Sequence, residues 1–228
     1  MNNNVDYKEG LIFTIFNYIT WFVLANIYFL VTNILFIGYI ITFGLDITSN
    51  VSVLLLVSLI PMGPALTALC ASMGKIIREK DINITRYYFN AYKINFKQSL
   101  IIWSTELIIF FVSYIDLKVV ANGNVSSSFA ILFLLICIFT IALSTIAFPI
   151  VSRFELKIID VLKLSFIYSI KKFHVVIINM ITIVIGFCLV YILPGTVFLC
   201  LISLICFSIM RNNKTIVNEI ENNIVTGQ

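Results

Sequence analysis

The side chains best able to do chemistry in this chain lie inside apolar sequence. Glu106 is the one acidic residue well within an apolar span. Counting from Lys97 at about 1.5 Å per residue puts it roughly 13 Å deep, near mid-membrane. An ionised carboxylate is costly there, so the group is expected to be protonated, hydrogen-bonded or facing a wet cavity. Two uses stay open: a proton- or cation-linked site, or a neutral carboxyl that ties two helices together. Asn26 and Asn33 are seven residues apart and share a helix face to within about 20°, whereas Asn17 lies opposite Asn26. Lipid cannot satisfy an amide, so this face is expected to turn inward and offer partners to Glu106.

Other reactive types are not in constellations. His174 has no second His and no Cys beside it. Cys70, Cys137, Cys188, Cys200 and Cys206 all sit in apolar runs without a CxxC pair, which suits small packing residues. There is no Walker A sequence, HExxH, GxSxG or glycine-rich dinucleotide fingerprint. The chain is therefore expected to be no enzyme, with no catalytic, cofactor or metal site.

The elements that hold these groups are membrane spans. Of the 228 residues, 61% are hydrophobic and 11% charged, and the mean hydropathy is +1.06. Soluble domains carry about 25% charge, so a soluble domain and a disordered chain are both excluded. A net charge of +4 is too mild for a nucleic-acid binder that works by neutralising phosphates. The expected fold is all-α: one integral membrane domain over 1–228, a polytopic transmembrane bundle of about six spans at 12–43, 51–74, 98–117, 129–152, 175–193 and 196–210. Two amphipathic cytoplasmic connectors, 75–97 and 153–172, complete it.

Two apolar runs are long for one crossing and short for two, given about 20 residues per span. A hairpin in Gly10 to Leu45 would put Lys75, Arg78, Lys80, Arg86, Lys93 and Lys97 outside, against the positive-inside rule, so one helix is expected. Phe173 to Met210 divides at Pro194-Gly195, where proline lacks an amide donor and glycine tolerates a turn. Fourteen of the fifteen basic residues then lie on one side against Lys118 alone, which places both termini in the cytoplasm. Keeping the last run whole gives twelve against three and is disfavoured. The outer loops, Asp46 to Asn50, Asp116 to Ser128 and the Pro194-Gly195 turn, are short; Asn50-Val-Ser52 and Asn124-Val-Ser126 read as chance matches to a glycosylation acceptor. The apolar run after the amino terminus exceeds a signal-peptide core and is read as a retained span.

In the first connector, Phe89, Tyr92 and Phe96 recur at helical spacing beside Arg86, Lys93 and Lys97, with Asp81, Asn83 or Thr85 able to cap the start. This suits a helix lying in the headgroup layer with its cations toward anionic lipid, or a connector packed under the bundle. In the second, Lys157, Asp160 and Lys163 form a stripe, while Leu156, Ile159, Leu162, Phe166 and Ile170 cover much of the rest. In span two, Pro61 and Pro64 around Gly63 break the helix, and Ala65 and Ala68 with Ala71 or Ser72 make a small-residue face for close packing. Such a break is either a binding site, as in transporters, or a packing kink.

The run LIPMGPALTALCASMGKIIREKD, then FNAYKINFKQSL, then AFPIVSRFELKIIDVLKLSF resembles the YesL-like family of bacterial integral membrane proteins, from about Leu59 to Met210. The resemblance implies a bacterial plasma membrane protein that accompanies carbohydrate uptake, with the lipid bilayer and a carbohydrate ABC transporter or membrane sensor as partners. The competing expectation is a small-solute transporter using Glu106 and the broken second span. The chain lacks the EAA-type coupling loop of sugar ABC permeases.

Overall fold

The computed structural model describes residues 3–44, 53–79, 82–121, 128–192 and 198–225. All of its regular structure is helical: α1 (Asn3–Thr32), α2 (Ile34–Phe43), α3 (Val53–Leu59), α4 (Met62–Glu79), α5 (Ile84–Ala121), α6 (Ser128–Arg153), α7 (Ile158–Lys171), α8 (Phe173–Ile192), α9 (Phe198–Asn212) and α10 (Lys214–Val225). The stretches Thr14–Thr32, Val53–Glu79, Ile84–Ala121 and Phe129–Arg153 are long and apolar enough to cross a membrane. There are six such elements if each of two bent pairs counts as one: α7 with α8, bent by 96°, and α9 with α10, bent by 49°. The chain is a helical bundle of membrane type. The Asp46 to Asn50 loop, Asp81, both glycosylation motifs and Pro194-Gly195 lie outside the described residues.

Three elements differ from the sequence expectation. The single helix over 12–43 is interrupted at Asn33, whose backbone leaves helical geometry at φ −106° and ψ 27°. The side-chain amide adds to the backbone there: Asn33 Nδ2 donates to Phe29 O at 2.8 Å, and the Asn33 N–H reaches the same carbonyl at 3.2 Å. The first connector is not a separate helix: α4 runs on through Glu79, and α5 continues unbroken for 38 residues from Ile84. At about 57 Å, α5 is nearly twice the thickness of a roughly 30 Å hydrocarbon core, so its basic, aromatic first turns extend the span rather than lying apart from it. The sequence after Met210 folds as α10, turned at Asn213.

The break in span two is built from its two prolines. Pro64 has no N–H for the carbonyl of Ile60, and the chain turns at Ile60 and Pro61. The neighbouring carbonyl of Leu59 accepts from the indole of Trp103 on α5, at 2.8 Å. Beyond the break α4 presents many small residues, among them Ala65, Ala68, Ala71 and Ser72, beside the larger Leu69 and Met73. Ala65, Ala68 and Ser72 have no exposed surface, and with Phe29 of α1, Tyr88 of α5 and Met210 of α9 they form one core. A second core gathers Ile146 and Ile150 of α6, Val161 of α7, Val176 of α8 and Ile220 of α10. Hydroxyls buried in this packing bond back to their own helix, as Thr67 does to Gly63 O at 3.1 Å and Ser165 to Val161 O at 2.7 Å. The α8 and α9 helices lie side by side in opposite directions, with Gly186 against Ile205 and Asn179 against Asn212.

At Gly63, α5 packs tightly on α4. A Cβ there would stand 2.3 Å from Trp103 Cβ and 3.0 Å from Ser99 O. Gly63→Val is expected to destabilise the bundle by about 1–3 kcal/mol, the usual cost of overpacking. The check is a thermal melt in detergent followed by size exclusion. Gly38→Ala, inside α2 with nothing within 4 Å of the added carbon, should leave the midpoint unlowered or raise it slightly.

Candidate functional site

Three polar sites interrupt the apolar interior, and they are linked through α6. The first is Glu106, only 7% exposed, on the face of α5 that packs against α6. Its partner is Ser144 of α6, within hydrogen-bonding reach of the carboxyl. The Ser144 hydroxyl donates to Thr140 O at 2.9 Å, so its oxygen is left to accept from a neutral carboxyl; an ionised one would have to claim that proton. The second oxygen, Oε2, is buried without a hydrogen-bond partner among the described residues. Asn26 and Asn33 are both buried, as the spacing on span one requires. The amide of Asn33 serves the break in its own helix, and it is Ser144, passed over in the sequence, that reaches Glu106.

The second site is at the bend between α9 and α10. Asn213 Nδ2 donates to Thr145 O of α6 at 3.0 Å and to Ile209 O at 2.9 Å, and Asn212 Nδ2 donates to Asn179 Oδ1 of α8 at 3.0 Å. Asn179 and Asn213 have no exposed surface. These asparagines tie α6, α8 and α9 together where a helix would otherwise run straight. The signal was present in the sequence, two amides directly after an apolar run and one within another, but no periodic pattern announced them.

The third site is a cleft of about 140 Å³ at the basic end of the bundle, lined by Tyr87, Asn90, Ala91, Ile94 and Asn95 of α5 and by Val151, Ser152, Arg153, Phe154 and Glu155 at the end of α6. Gln98 Nε2 holds its floor by donating to Leu156 O at 2.9 Å. Arg78 donates to Tyr87 and lies close enough to Arg153 for the two guanidinium groups to repel. Lys75 stands 4.7 Å over the Tyr87 ring. Of the residues proposed as interfacial, Arg86, Lys93 and Lys97 are exposed, Tyr92 is half-buried, and Phe89 packs its ring on Tyr28 of α1 at 5.2 Å. Phe96 stays partly exposed beside Tyr92. Pro61, Gly63, Pro64, Ala65 and Ala68 are packing residues of the α4 core, with a polar filler in Trp103.

Closing this end is α10. Its Ile216 and Ile220 are buried against α6 and α7, while Glu221 pairs with Arg153 at 3.0 Å and Glu219 with Lys171 and, at 3.4 Å, with Lys172. The hydrogen bond from Lys171 holds the Glu219 carboxyl below its ordinary value of 4.5, and the same bond holds the Lys171 ammonium above its ordinary 10.5. No group of three or more His, Cys, Asp or Glu side chains that could hold a metal ion occurs among the described residues.

With this geometry in place, the comparison with known families can be read. Residues 22–117 match a family model described as a protein of unknown function, DUF624. The match takes in α1 from Phe22 through the span-two break to Leu117 on α5, and so contains Glu106 and the α5 wall of the cleft. The helices α6 to α10 lie beyond it. No curated protein and no solved structure matches the chain.

The ion pairs on α10 give a pH dependence with a definite sign. A carboxyl whose value is lowered by folding contributes above its ordinary range and loses that contribution as pH falls through the lowered value. A raised lysine contributes below its ordinary range and loses it as pH climbs through the raised value. Docking of α10 is therefore firmest between about 4.5 and 10.5, and acidification below the lower limit should lower the hydrogen-exchange protection factors of the α10 amides. Glu219→Gln should abolish that acid-side change; an unchanged acid limb would show that other groups govern it.

Proposed function

We propose that the protein is a membrane-embedded accessory component of bacterial carbohydrate uptake, and that it works by holding a partner membrane protein at the cleft on its cytoplasmic face. The single observation that carries the reading is the cleft itself. It is open, it joins the projecting first turns of α5 to the end of α6, and it sets apolar Ile94 and Phe154 beside polar Asn90, Asn95, Arg153 and Glu155. Mixed lining of this sort suits a peptide segment better than a solute that must leave quickly. The exposed cations Arg86, Lys93 and Lys97 continue the surface along α5 and favour an acidic segment. The positive-inside rule assigns this end to the cytoplasm. The tie to carbohydrate uptake comes from the YesL-like resemblance and is an argument by association.

The test uses the full chain in its own membranes. A photo-crosslinking residue at Asn90, exposed on the cleft wall, should capture one membrane protein, and Ile94→Glu should abolish the adduct while the bundle still elutes as a folded species. Elution alone in mild detergent, with no specific adduct from Asn90, would overturn the reading.

A second reading is favoured by one observation, the unpartnered Oε2 of buried Glu106. In that reading the bundle moves a small solute coupled to a proton on this carboxyl. Proteoliposomes comparing wild type with Glu106→Gln decide it: flux that loses its pH dependence supports coupling, and equal flux at every pH removes it.

A further inference from the structure

The helix α7 carries three different faces, and only one of them is buried in the bundle. Taking about 100° per residue from Val161, the flank with Val161, Ser165, Tyr168 and Ser169 is buried against the bundle. The arc of about 80° that follows holds Leu162, Phe166, Ile159 and Ile170, each at least 46% exposed. Beyond it come Lys163, the exposed Ile167, Asp160 and Lys171. A helix so divided has one side for protein, one for hydrocarbon and one for water.

Its setting fits that division. The bend to α8 is 96°, so α7 lies across the direction of the span that follows it. Phe166 points its ring to within 6.2 Å of Phe139, itself an exposed residue of α6. The apolar arc of α7 is thus continuous with the outward apolar surface of a spanning helix. Lys171 and Lys172 are engaged by Glu219 on α10, which leaves Lys163, at the edge of the apolar arc, as the exposed cation beside it.

We propose that α7 is an in-plane anchor seated in the inner leaflet, with Leu162, Phe166 and Ile170 in the acyl region and Lys163 on the headgroup of an anionic phospholipid. This surface is separate from the cleft, so the outcome below is independent of the function proposed above. The two faces of α7 divide the work: α10 and α6 fix its inner flank, and the bilayer covers the outer one. An aqueous face would expose four large apolar side chains to water, whereas an interfacial helix removes them.

The experiment places p-benzoylphenylalanine at 166 in the full chain, both in native membranes and in nanodiscs that mix anionic and zwitterionic phospholipid. The expected product on illumination is a phospholipid adduct in both settings, with anionic lipid enriched over its share of the disc by about five-fold, the worth of one lysine at a charged surface. Lys163→Glu should bring that enrichment to parity while the adduct itself persists. A peptide adduct in native membranes, from a second copy or another protein, would overturn the anchor. So would the absence of any lipid adduct in nanodiscs. Lipid adducts without anionic enrichment, or with enrichment indifferent to Lys163→Glu, would overturn the headgroup assignment.

Discussion

The close approach of helices to α4 is the constraint on which the bundle depends. In lipid the hydrophobic effect does little to bring helices together, so association rests on van der Waals contact and on the few polar bonds that span the gap. The small side chains of α4 permit that contact. Gly63 admits Trp103 and Ser99 of α5, Ala65 admits the Tyr88 hydroxyl, and Gly74 admits the tip of Met210 from α9. The prolines that bend span two belong to the same arrangement, because the carbonyl of Leu59 beside the break receives the Trp103 indole.

Polar groups then fix what packing alone would leave free to slide. Smooth apolar helices have many nearly equivalent registers, whereas a buried hydrogen bond has one. Glu106 with Ser144 sets α5 against α6, Asn213 with Thr145 sets the α9 bend against α6, and Ser203 on α9 donates to Phe22 O of α1 at 2.7 Å. The bonds are few, and they join both neighbouring helices, α5 with α6, and distant ones, α1 with α9. This distribution explains why α6, which meets both a carboxyl and an asparagine, is the axis of the second core.

Much of this was legible in the sequence and some was not, for physical reasons. Charge-free runs marked the spanning helices, since their length reflects the bilayer. The burial of Asn26 and Asn33 followed from a seven-residue spacing, and the role of Ala65 and Ala68 from residue size. The continuity of α5 was harder to see. Arg86 to Lys97 differ in composition from the span beyond them, and composition records the surrounding solvent while helix continuity is set by the backbone. The partner of Glu106 could not be read at all, because serine is common in such helices and only the antiparallel register of α5 and α6 selects Ser144. Likewise, Ile216 and Ile220 in a polar tail become informative only once α6 and α7 present a surface for them.

The docking of α10 has a consequence for assembly. The surface it covers is made by the end of α6 and the inner flank of α7, and its acidic residues engage side chains from both. The ribosome makes α8 and α9 in between. The nascent bundle must therefore carry an unfinished basic end through two further insertions into the membrane, and α10 can lock the earlier helices only after those insertions succeed. A late-arriving clasp of this kind makes correct threading of the final hairpin a condition for stiffening helices synthesised long before it.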